Sequence, residues 1–359
     1  MSHGALKQNS DISGTAQAAA RYLNASRVNI RITALAFVFV AVFVISFSVG
    51  RFYVPVKDVV LILLSKVIKI EPTWTTQMEI VVINVRLPRI IAAAFIGMAL
   101  SVSGCVYQGM FRNPMVSPDI LGSSAGAGFG AALSIFWGLS SLSVTMFSFA
   151  FGALAVFMAC FAASKYRSNP TLGLVLTGIM IGSLFTAATS FIKLVADPTD
   201  QLPVITYWLM GSLSAIRTSS LLLLCPIVII GMLPLLLMRW RLNVITLGEE
   251  EARSLGVNTK VLRFVVIVCA TLMSSACVAV SGLIGWVGLV IPHFSRKMVG
   301  CDYKSLLPGA IFMGGAFMIA VDDVSRTLAT NEIPIGILTA FIGAPFFLYM
   351  ILKEGKKSV

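Results

Sequence analysis

The chain has 359 residues, of which 57% are hydrophobic and only 12% are charged, and its mean hydropathy is +0.92. Because soluble domains carry about 25% charged residues, this composition excludes a soluble globule, a disordered chain and a disulfide-rich secreted module. The 27 Lys and Arg residues exceed the 15 Asp and Glu residues and give a net charge of +12. In a membrane protein this excess belongs to the cytoplasmic loops, so it predicts topology and no nucleic-acid partner.

Uncharged runs follow one another along the chain, and a helix needs about 20 apolar residues to cross the hydrocarbon layer. The runs fall at 32–50, 90–111, 120–164, 168–192, 201–216, 218–238, 264–292, 305–321 and 333–352. We expect run 120–164 to fold into two spans that turn near residues 137–141, and run 264–292 to break at Ser281-Gly282. Run 201–216 is too short to cross and predicts a helix at the membrane interface.

Ten spans remain, so the sequence predicts an all-α polytopic membrane protein. Its single transmembrane domain covers residues 32–353 and follows a flexible cytoplasmic tail at residues 1–31. With that tail inside, ten alternating spans place further basic residues in the cytoplasm: Arg112, Lys165, Arg167, Arg239, Arg241, Arg296, Lys297, Lys304, Lys353, Lys356 and Lys357. We therefore expect a multi-pass protein of the cytoplasmic (inner) membrane with both termini in the cytoplasm.

Three arginines at predicted outer span ends, Arg86, Arg89 and Arg326, go against this rule. Local ion pairs are one explanation, because Asp322 stands four residues before Arg326 and Glu79 lies near Arg86. For Asp322 itself, a structural pair and a proton relay are both open.

The motifs of enzymes and metal sites are absent. The sequence contains no P-loop, and its six cysteines and two histidines form no pattern of metal ligands. No Ser, His and Asp spacing indicates a nucleophile. We therefore expect no catalytic residue, no metal site and no cofactor bound by this chain.

Glycines recur every four residues at Gly122, Gly126 and Gly130, within a run that has no preceding strand. That context favours helix packing over a phosphate-binding loop. Such spacing makes one smooth helix face, so the sequence predicts close helix packing there.

One cytoplasmic loop, residues 242–260, differs from the others. Its segment Leu247–Gly256 contains good helix formers and ends in a glycine, which predicts a short charged helix. A solvated connector is the simpler interpretation. The alternative is a rigid element that inserts into a soluble partner.

A series of motifs, in order from residue 86 to 345, resembles the FecCD/BtuC-type permeases, the membrane subunits of iron-siderophore, haem and vitamin B12 ABC importers. The matching segments are Arg86-Leu-Pro-Arg89, Ser103-Gly104, Gln108, Asn113-Pro114, Pro118, Leu121-Gly122, Glu251–Gly256, Ser281–His293, Leu307-Pro-Gly309, Asp322–Arg326, Glu332–Gly336 and Gly343-Ala-Pro345.

This resemblance implies a BtuC-like fold that forms a homodimer with two ABC ATPase subunits on one side and one extracytoplasmic substrate-binding protein on the other. ATP with Mg²⁺ would bind to the ATPase subunits.

The same resemblance implies roles for individual residues. Arg86, Arg89 and Arg326 match arginines that dock the binding protein; the coupling helix matches Glu249, Glu250, Glu251, Ala252, Arg253, Leu255 and Gly256; and a cytoplasmic gate matches Asn113, Met115 and Thr171.

The cargo implied by the resemblance is a metal chelate, with a ferric siderophore as the first expectation. Haem, cobalamin and molybdate are alternatives. An ion-coupled secondary transporter is the competing class, but the scarcity of carboxylates within the spans counts against it.

Overall fold

The computed structural model describes residues 26–66, 68–166 and 170–355. Within these residues the protein is helical and contains no β-strand, so the all-α prediction is confirmed. The helices, in chain order, are α1 Ser26–Ser46, α2 Val56–Ser65, α3 Thr76–Ile80, α4 Leu87–Met110, α5 Ser123–Phe136, α6 Ser141–Ser164, α7 Pro170–Val195, α8 Gln201–Met210, α9 Thr218–Leu237, α10 Arg239–Leu247, α11 Glu249–Ser254, α12 Thr259–Ser281, α13 Val287–Val299, α14 Tyr303–Thr327 and α15 Ile335–Gly355.

Ten of these helices stand at the ten predicted span positions of the described chain. Seven are long and apolar enough to cross a membrane by length and composition, namely α1, the continuous helix Thr76–Met110, α6, α7, α9, α12 and α14. The other three are α5, α13 and α15. With 14 and 13 residues, α5 and α13 are about 20 Å long, shorter than the hydrocarbon layer of about 30 Å.

Two predicted breaks are confirmed. Helix α5 ends at Phe136 and α6 begins at Ser141, whose preceding Ser140 accepts a hydrogen bond from the Ser143 amide. Helix α12 ends at Ser281 because Gly282 has a φ of +70°, a left-handed conformation that favours glycine.

Other boundaries differ from the prediction. Helix α1 begins at Ser26, so residues 26–31 are helical rather than part of a flexible tail, and residues 1–25 lie outside the described residues. The helix expected over 201–216 stops at Met210, because Gly211 takes a φ of +75°. Its side chain Ile205 is fully buried against Ala132 and Ile192, so α8 packs on the bundle.

Helix α4 is the central element, and it packs against α9, α12, α13 and α14. Glycines allow this contact. A Cβ added to Gly97 would lie 2.1 Å from the carbonyl oxygen of Gly314, and a Cβ added to Gly104 would lie 1.8 Å from the carbonyl oxygen of Gly288. Because no side chain fits at these positions, the backbones of α4, α13 and α14 touch directly.

The predicted glycine face packs α5 on α6. An added Cβ at Gly126 would lie 2.4 Å from the Phe151 carbonyl oxygen, and one at Gly130 would lie 2.3 Å from that of Phe147. Gly122 differs, because it precedes α5 with a φ of +81° and ends the short 3₁₀ turn Pro118–Leu121. The conformation of Gly122 therefore makes a turn rather than extending the helix face.

Helix α4 is preceded by a wider π-helical turn, Val81–Arg86, which joins it to α3 without a break. Helix α3, the π-helical turn and α4 therefore form one continuous helix of 35 residues, Thr76–Met110.

The bundle has two ends. Helix α10 lies beside the start of α14, where Asn243 contacts Asp302 and Tyr303, and α11 packs on α10 and α12. We call this end, which carries the loop 242–260, the coupling-loop end. At the opposite end α4 and α14 bring Arg89 and Asp322 together, and we call this the arginine end.

Candidate functional site

The predicted short helix of the loop is present as α11, Glu249–Ser254. Gly248 precedes it with a φ of +144°, and Gly256 follows it with a φ of +78°. Ala252 is fully buried and its carbonyl oxygen accepts a hydrogen bond from the Val257 amide at 2.9 Å. Burial of this small apolar side chain helps to fix α11 to the bundle.

Glu249 ties α11 to α12. Its carboxylate accepts hydrogen bonds from Arg253 at 2.8 Å, from Arg263 at 3.3 Å and from the Thr259 hydroxyl at 3.3 Å. Burial raises the pKa of Glu249, but the two guanidinium groups and the hydroxyl outweigh it, so the net pKa lies below the usual value. Glu249 is therefore a charged anchor at neutral pH.

The remaining loop residues face solvent. Glu250, Glu251, Arg253 and Gly256 are exposed, and Leu255 presents 53% of its surface. An exposed leucine amid charged side chains on a short fixed helix suits a contact with another protein. The neighbouring α10 is a second helix within the predicted loop, and sequence reasoning missed it.

The expected gate residues lie at the coupling-loop end. Asn113 and Met115 are exposed in the loop after α4, where the Asn113 Oδ1 atom accepts a hydrogen bond from the Met115 amide at 2.9 Å. Thr171 is half-buried in the first turn of α7. Residues 168 and 169, which belong to the same matched stretch 168–171, lie outside the described residues.

A groove beside this loop runs along α7. It has a volume of about 560 Å³ and is lined by Asp119, the glycines Gly122, Gly178 and Gly182, and the hydroxyl residues Ser183, Thr186 and Ser190. Asp119 accepts a hydrogen bond from the Ser124 hydroxyl. Sequence reasoning missed Asp119, although its place between the matched Pro118 and Leu121-Gly122 was a usable signal.

The three arginines of the arginine end are buried. Arg89 donates from Nε to the Asp322 carboxylate at 2.9 Å and from Nη1 to Glu332 at 2.9 Å. Its side chain is 6% exposed and that of Asp322 is 1% exposed. The guanidinium group therefore joins α4, α14 and the segment before α15.

The other two arginines are also bonded within the chain. Arg326 pairs with Asp323, donates to the Ser46 carbonyl oxygen at 2.9 Å and lies 3.9 Å from Asp322. Arg86 donates to the carbonyl oxygens of Phe47 and Phe52. Together these contacts hold the end of α1 against α4 and α14.

These contacts test the two local ion pairs predicted from the sequence. The pair of Arg326 with Asp322 is present. The predicted pair of Arg86 with Glu79 is wrong, because the Glu79 carboxylate accepts hydrogen bonds from Lys66 at 2.6 Å and from Trp74 at 3.3 Å. Burial favours the local-pairing explanation. The docking role of Arg86, Arg89 and Arg326 stays a prediction.

Comparison with known proteins identifies the family. The family model described as the FecCD transport family matches residues 38–353. The chain belongs to this family. The resemblance predicted from the sequence motifs is confirmed.

Two similar proteins cover most of the chain. The molybdate import system permease protein MolB of Haemophilus influenzae is 42% identical over 313 residues, which are 86% of this chain and 91% of that one. The hemin transport system permease protein HmuU of Yersinia pestis is 38% identical over 282 residues, which are 76% of this chain and 83% of that one. Relatives with the same architecture therefore bear the names of different cargoes.

A solved structure supports the fold. A metal-chelate type ABC transporter in an inward-facing conformation is 38% identical, covers 90% of this chain and 98% of its own, and superposes with a TM-score of 0.80. The predicted multi-span permease fold is therefore confirmed.

Proposed function

We propose that this chain is the transmembrane permease subunit of an ATP-driven importer that carries a metal-containing cargo across the cytoplasmic membrane. The observation that carries the proposal is the family match over residues 38–353 on a helix arrangement shared with a metal-chelate type ABC transporter. The exposed α11 helix adds a surface on which an ATPase can act.

In this proposal the coupling-loop end faces the cytoplasm. The balance of charges supports that orientation, because the cation-rich side of a membrane protein is the cytoplasmic one. The coupling-loop end carries many exposed cations: Arg112, Lys165, Arg241, Arg253, Lys260, Lys297, Lys304 and Lys353. Both termini would then be cytoplasmic.

The proposed assembly has two copies of this chain, two ABC ATPase subunits at the coupling-loop end and one substrate-binding protein at the arginine end. ATP and Mg²⁺ would bind to the ATPase subunits. Glu250, Glu251 and Leu255 would contact the ATPase, while Ala252 and Glu249 hold α11 in place. Asn113, Met115 and Thr171 would form the gate near the two-fold axis.

Docking of the binding protein at the arginine end is part of the same proposal. Because Arg86, Arg89 and Arg326 are already bonded within the chain, direct docking by these groups requires an incoming carboxylate to replace an internal partner. Their present contacts shape the docking surface instead by fixing the ends of α1, α4 and α14.

For the cargo we propose a ferric siderophore, with molybdate as the second candidate. The iron chelate rests on the motif resemblance, and a hemin permease and a metal-chelate type transporter are among the similar proteins. Molybdate is favoured by the 42% identity to a molybdate permease along 91% of its length.

Uptake by reconstituted proteoliposomes tests both levels of the proposal. The permease would be purified with its ATPase and binding protein, and ATP-dependent uptake of a ⁵⁵Fe-siderophore and of ⁹⁹Mo-molybdate would be compared. We expect uptake of one cargo that stops when the ATPase is inactivated. Uptake driven by an ion gradient without ATP would overturn the proposal and identify a secondary transporter.

A further inference from the structure

A cavity of about 400 Å³ opens at the coupling-loop end between α4, α10, α13 and α14. Its inner wall contains Gln108 and Tyr303, both 3% exposed, and its outer wall contains Arg112, Arg296 and Lys297. The cavity therefore combines a buried polar floor with three cationic side chains.

The three cations lack acidic partners. Among the described residues, no carboxylate lies within ion-pair distance of Arg112, Arg296 or Lys297, whereas Arg89, Arg253, Arg263 and Arg326 all form ion pairs. Asp302 is close in sequence, but it accepts from the Asn243 amide at 2.6 Å and from the Lys304 backbone amide at 2.9 Å. No acidic residue lines the cavity.

Arg296 is the central group. It is half-buried and donates from Nη1 to the Gln108 Oε1 atom at 2.5 Å. The Gln108 amide nitrogen donates to the Val116 carbonyl oxygen at 3.2 Å, which keeps its oxygen directed at Arg296. A guanidinium has five N–H donors, and one amide oxygen cannot neutralise its charge. The cavity thus holds a cation that is positioned but not neutralised.

Arg112 gives a second, independent observation. It has a φ of +48°, a left-handed conformation that costs a non-glycine residue energy. This conformation places the residue on the cavity wall, where its Nη1 atom donates to the Leu247 carbonyl oxygen at 3.4 Å. Such strain concentrates at functional positions.

We propose that this cavity binds a tetrahedral oxyanion, either free or as the phosphate group of a membrane lipid. Arginine forks match the oxygens of such ions by charge-assisted hydrogen bonds. The volume leaves room for the ion and several waters of about 30 Å³ each. The assignment of the cavity to the cytoplasmic side and its place beside the gate rest on the proposed function, whereas the binding of the ion does not. Asn113 and Pro114 also line the cavity, so the bound oxyanion lies beside the proposed gate.

Equilibrium binding of ³²P-phosphate and ⁹⁹Mo-molybdate to the permease–ATPase complex tests the free-ion source. The complex is held in phosphatidylcholine nanodiscs, and the ATPase sites are filled with Mg-ADP so that they contribute equally to every variant. We expect one oxyanion site per permease chain in addition to any binding by the ATPase subunits. Its affinity should be at least tenfold lower in Arg296→Gln and in Arg112→Gln. Lys304→Gln, an exposed cation that does not line the cavity, is the matched control and should stay within twofold.

Nanodiscs of phosphatidylcholine with 30% phosphatidylglycerol test the lipid source. Native mass spectrometry should then show phosphatidylglycerol retained by the wild type and lost in Arg296→Gln. Retention of this lipid without binding of free ions identifies the headgroup as the ligand, and the reverse identifies the free oxyanion.

Three results would overturn the site: neither probe binds, the variants bind as the wild type does at an unchanged melting temperature, or Arg296→Gln releases the ATPase. The last result would make the cavity a surface for the ATPase. Uptake by the wild type, measured separately, distinguishes failure of this site from failure of the proposed function.

Discussion

The two ends of the bundle use charge in opposite ways. At the arginine end Arg89 and Arg326 form ion pairs with carboxylates, Arg86 donates to backbone carbonyl oxygens, and all three arginines are buried. At the coupling-loop end the described cations are mostly exposed, and three of them line a cavity without any acidic residue. Balanced buried charges fix helices to one another, whereas unbalanced accessible charges are available to partners.

The largest effect is expected from Asp322→Asn at the arginine end. This change leaves the buried Arg89 and Arg326 without their shared carboxylate, and removal of one partner of a buried pair costs about 3–5 kcal/mol. We expect a sharply lower melting temperature in detergent.

The double variant Arg89→Met with Asp322→Leu is the control, because replacing both members of this pair by apolar groups removes the unpaired charge of Arg89. Arg326 keeps Asp323, and Glu332 is partly exposed to solvent, so the double variant should recover part of the lost stability. An Asp322→Asn protein that melts like the wild type would show that the arginine end is not structural.

Substitution of a packed glycine in the middle of α4 should also lower stability strongly. At Gly104 an added Cβ would lie 1.8 Å from the Gly288 carbonyl oxygen, so Gly104→Ala should cost at least the 1–3 kcal/mol typical of overpacking. Gly285→Ala is the matched control, because an added Cβ there meets no atom within 4 Å. Equal melting temperatures for the two variants would contradict the direct backbone contact of α4 with α13.

At the coupling-loop end a substitution should affect function more than stability. Gly256→Pro conflicts with a φ of +78° and removes the hydrogen bond from the Gly256 amide to the Arg253 carbonyl oxygen at 2.9 Å. We expect a local cost of about 1–2 kcal/mol, a permease that still purifies as an intact membrane protein, and loss of substrate-stimulated ATP hydrolysis.

Glu251→Lys is the companion variant, because Glu251 is exposed and its reversal should change stability by about 0.5 kcal/mol or less. Unchanged stimulated hydrolysis in both variants would remove the coupling role from α11.

The anchor at Glu249 predicts that the stability of α11 depends on pH. Because the folded pKa of Glu249 is lowered, its stabilisation is complete above the unfolded pKa of about 4.3 and is lost as the pH falls through the folded value. Since the side chain is partly exposed, the contribution is about 0.5–1 kcal/mol.

Hydrogen exchange of the α11 amides, compared between pH 7 and pH 4 and corrected for intrinsic rates, measures this anchor. In the wild type, protection of the α11 amides should be lower at pH 4 than at pH 7. In Glu249→Gln it should be low at both pH values. Equal protection of the two proteins at pH 7 would contradict the anchor.

The smallest effect on stability is expected at the proposed gate residues. Asn113 and Met115 are exposed, so Asn113→Cys and Met115→Cys should melt within about 0.5 kcal/mol of the wild type. Each should crosslink to its copy across the dimer in some nucleotide states of the ATPase and not in others. Crosslinking that never depends on nucleotide would place the gate elsewhere.

The sequence predicted the fold well where the signal is local. The turn between α5 and α6 and the break at Gly282 follow from run length and glycine, which act within a few residues. The π-helical turn and helix α10 were missed, because no residue type marks a π turn and α10 carries charged residues in a segment interpreted as a loop.

The candidate sites were harder to predict than the fold, because their residues are far apart in sequence. Arg89 and Glu332 are separated by 243 residues in sequence, and Arg326 and Ser46 by 280. Pairing at such distances depends on tertiary packing, so the basic arginine motif was visible but its burial was not. The cavity around Arg296 was missed for the same reason, since Arg112 comes from the loop after α4 whereas Arg296 and Lys297 come from α13.

The π-helical turn Val81–Arg86 has a consequence for how the chain length of this protein can change. A π turn holds one residue more than an α turn, so deletion of a single residue there would restore a regular helix and rotate α3 by about 100° around the axis of α4. Helix α4 would keep its register against Gly288 and Gly314. Arg86 is the last residue of the turn, so after a deletion at an earlier position of the turn it would stay next to α4 and keep its bonds to the chain after α1. The turn is therefore a position where a one-residue insertion or deletion can alter the outer surface of the bundle without disturbing its centre.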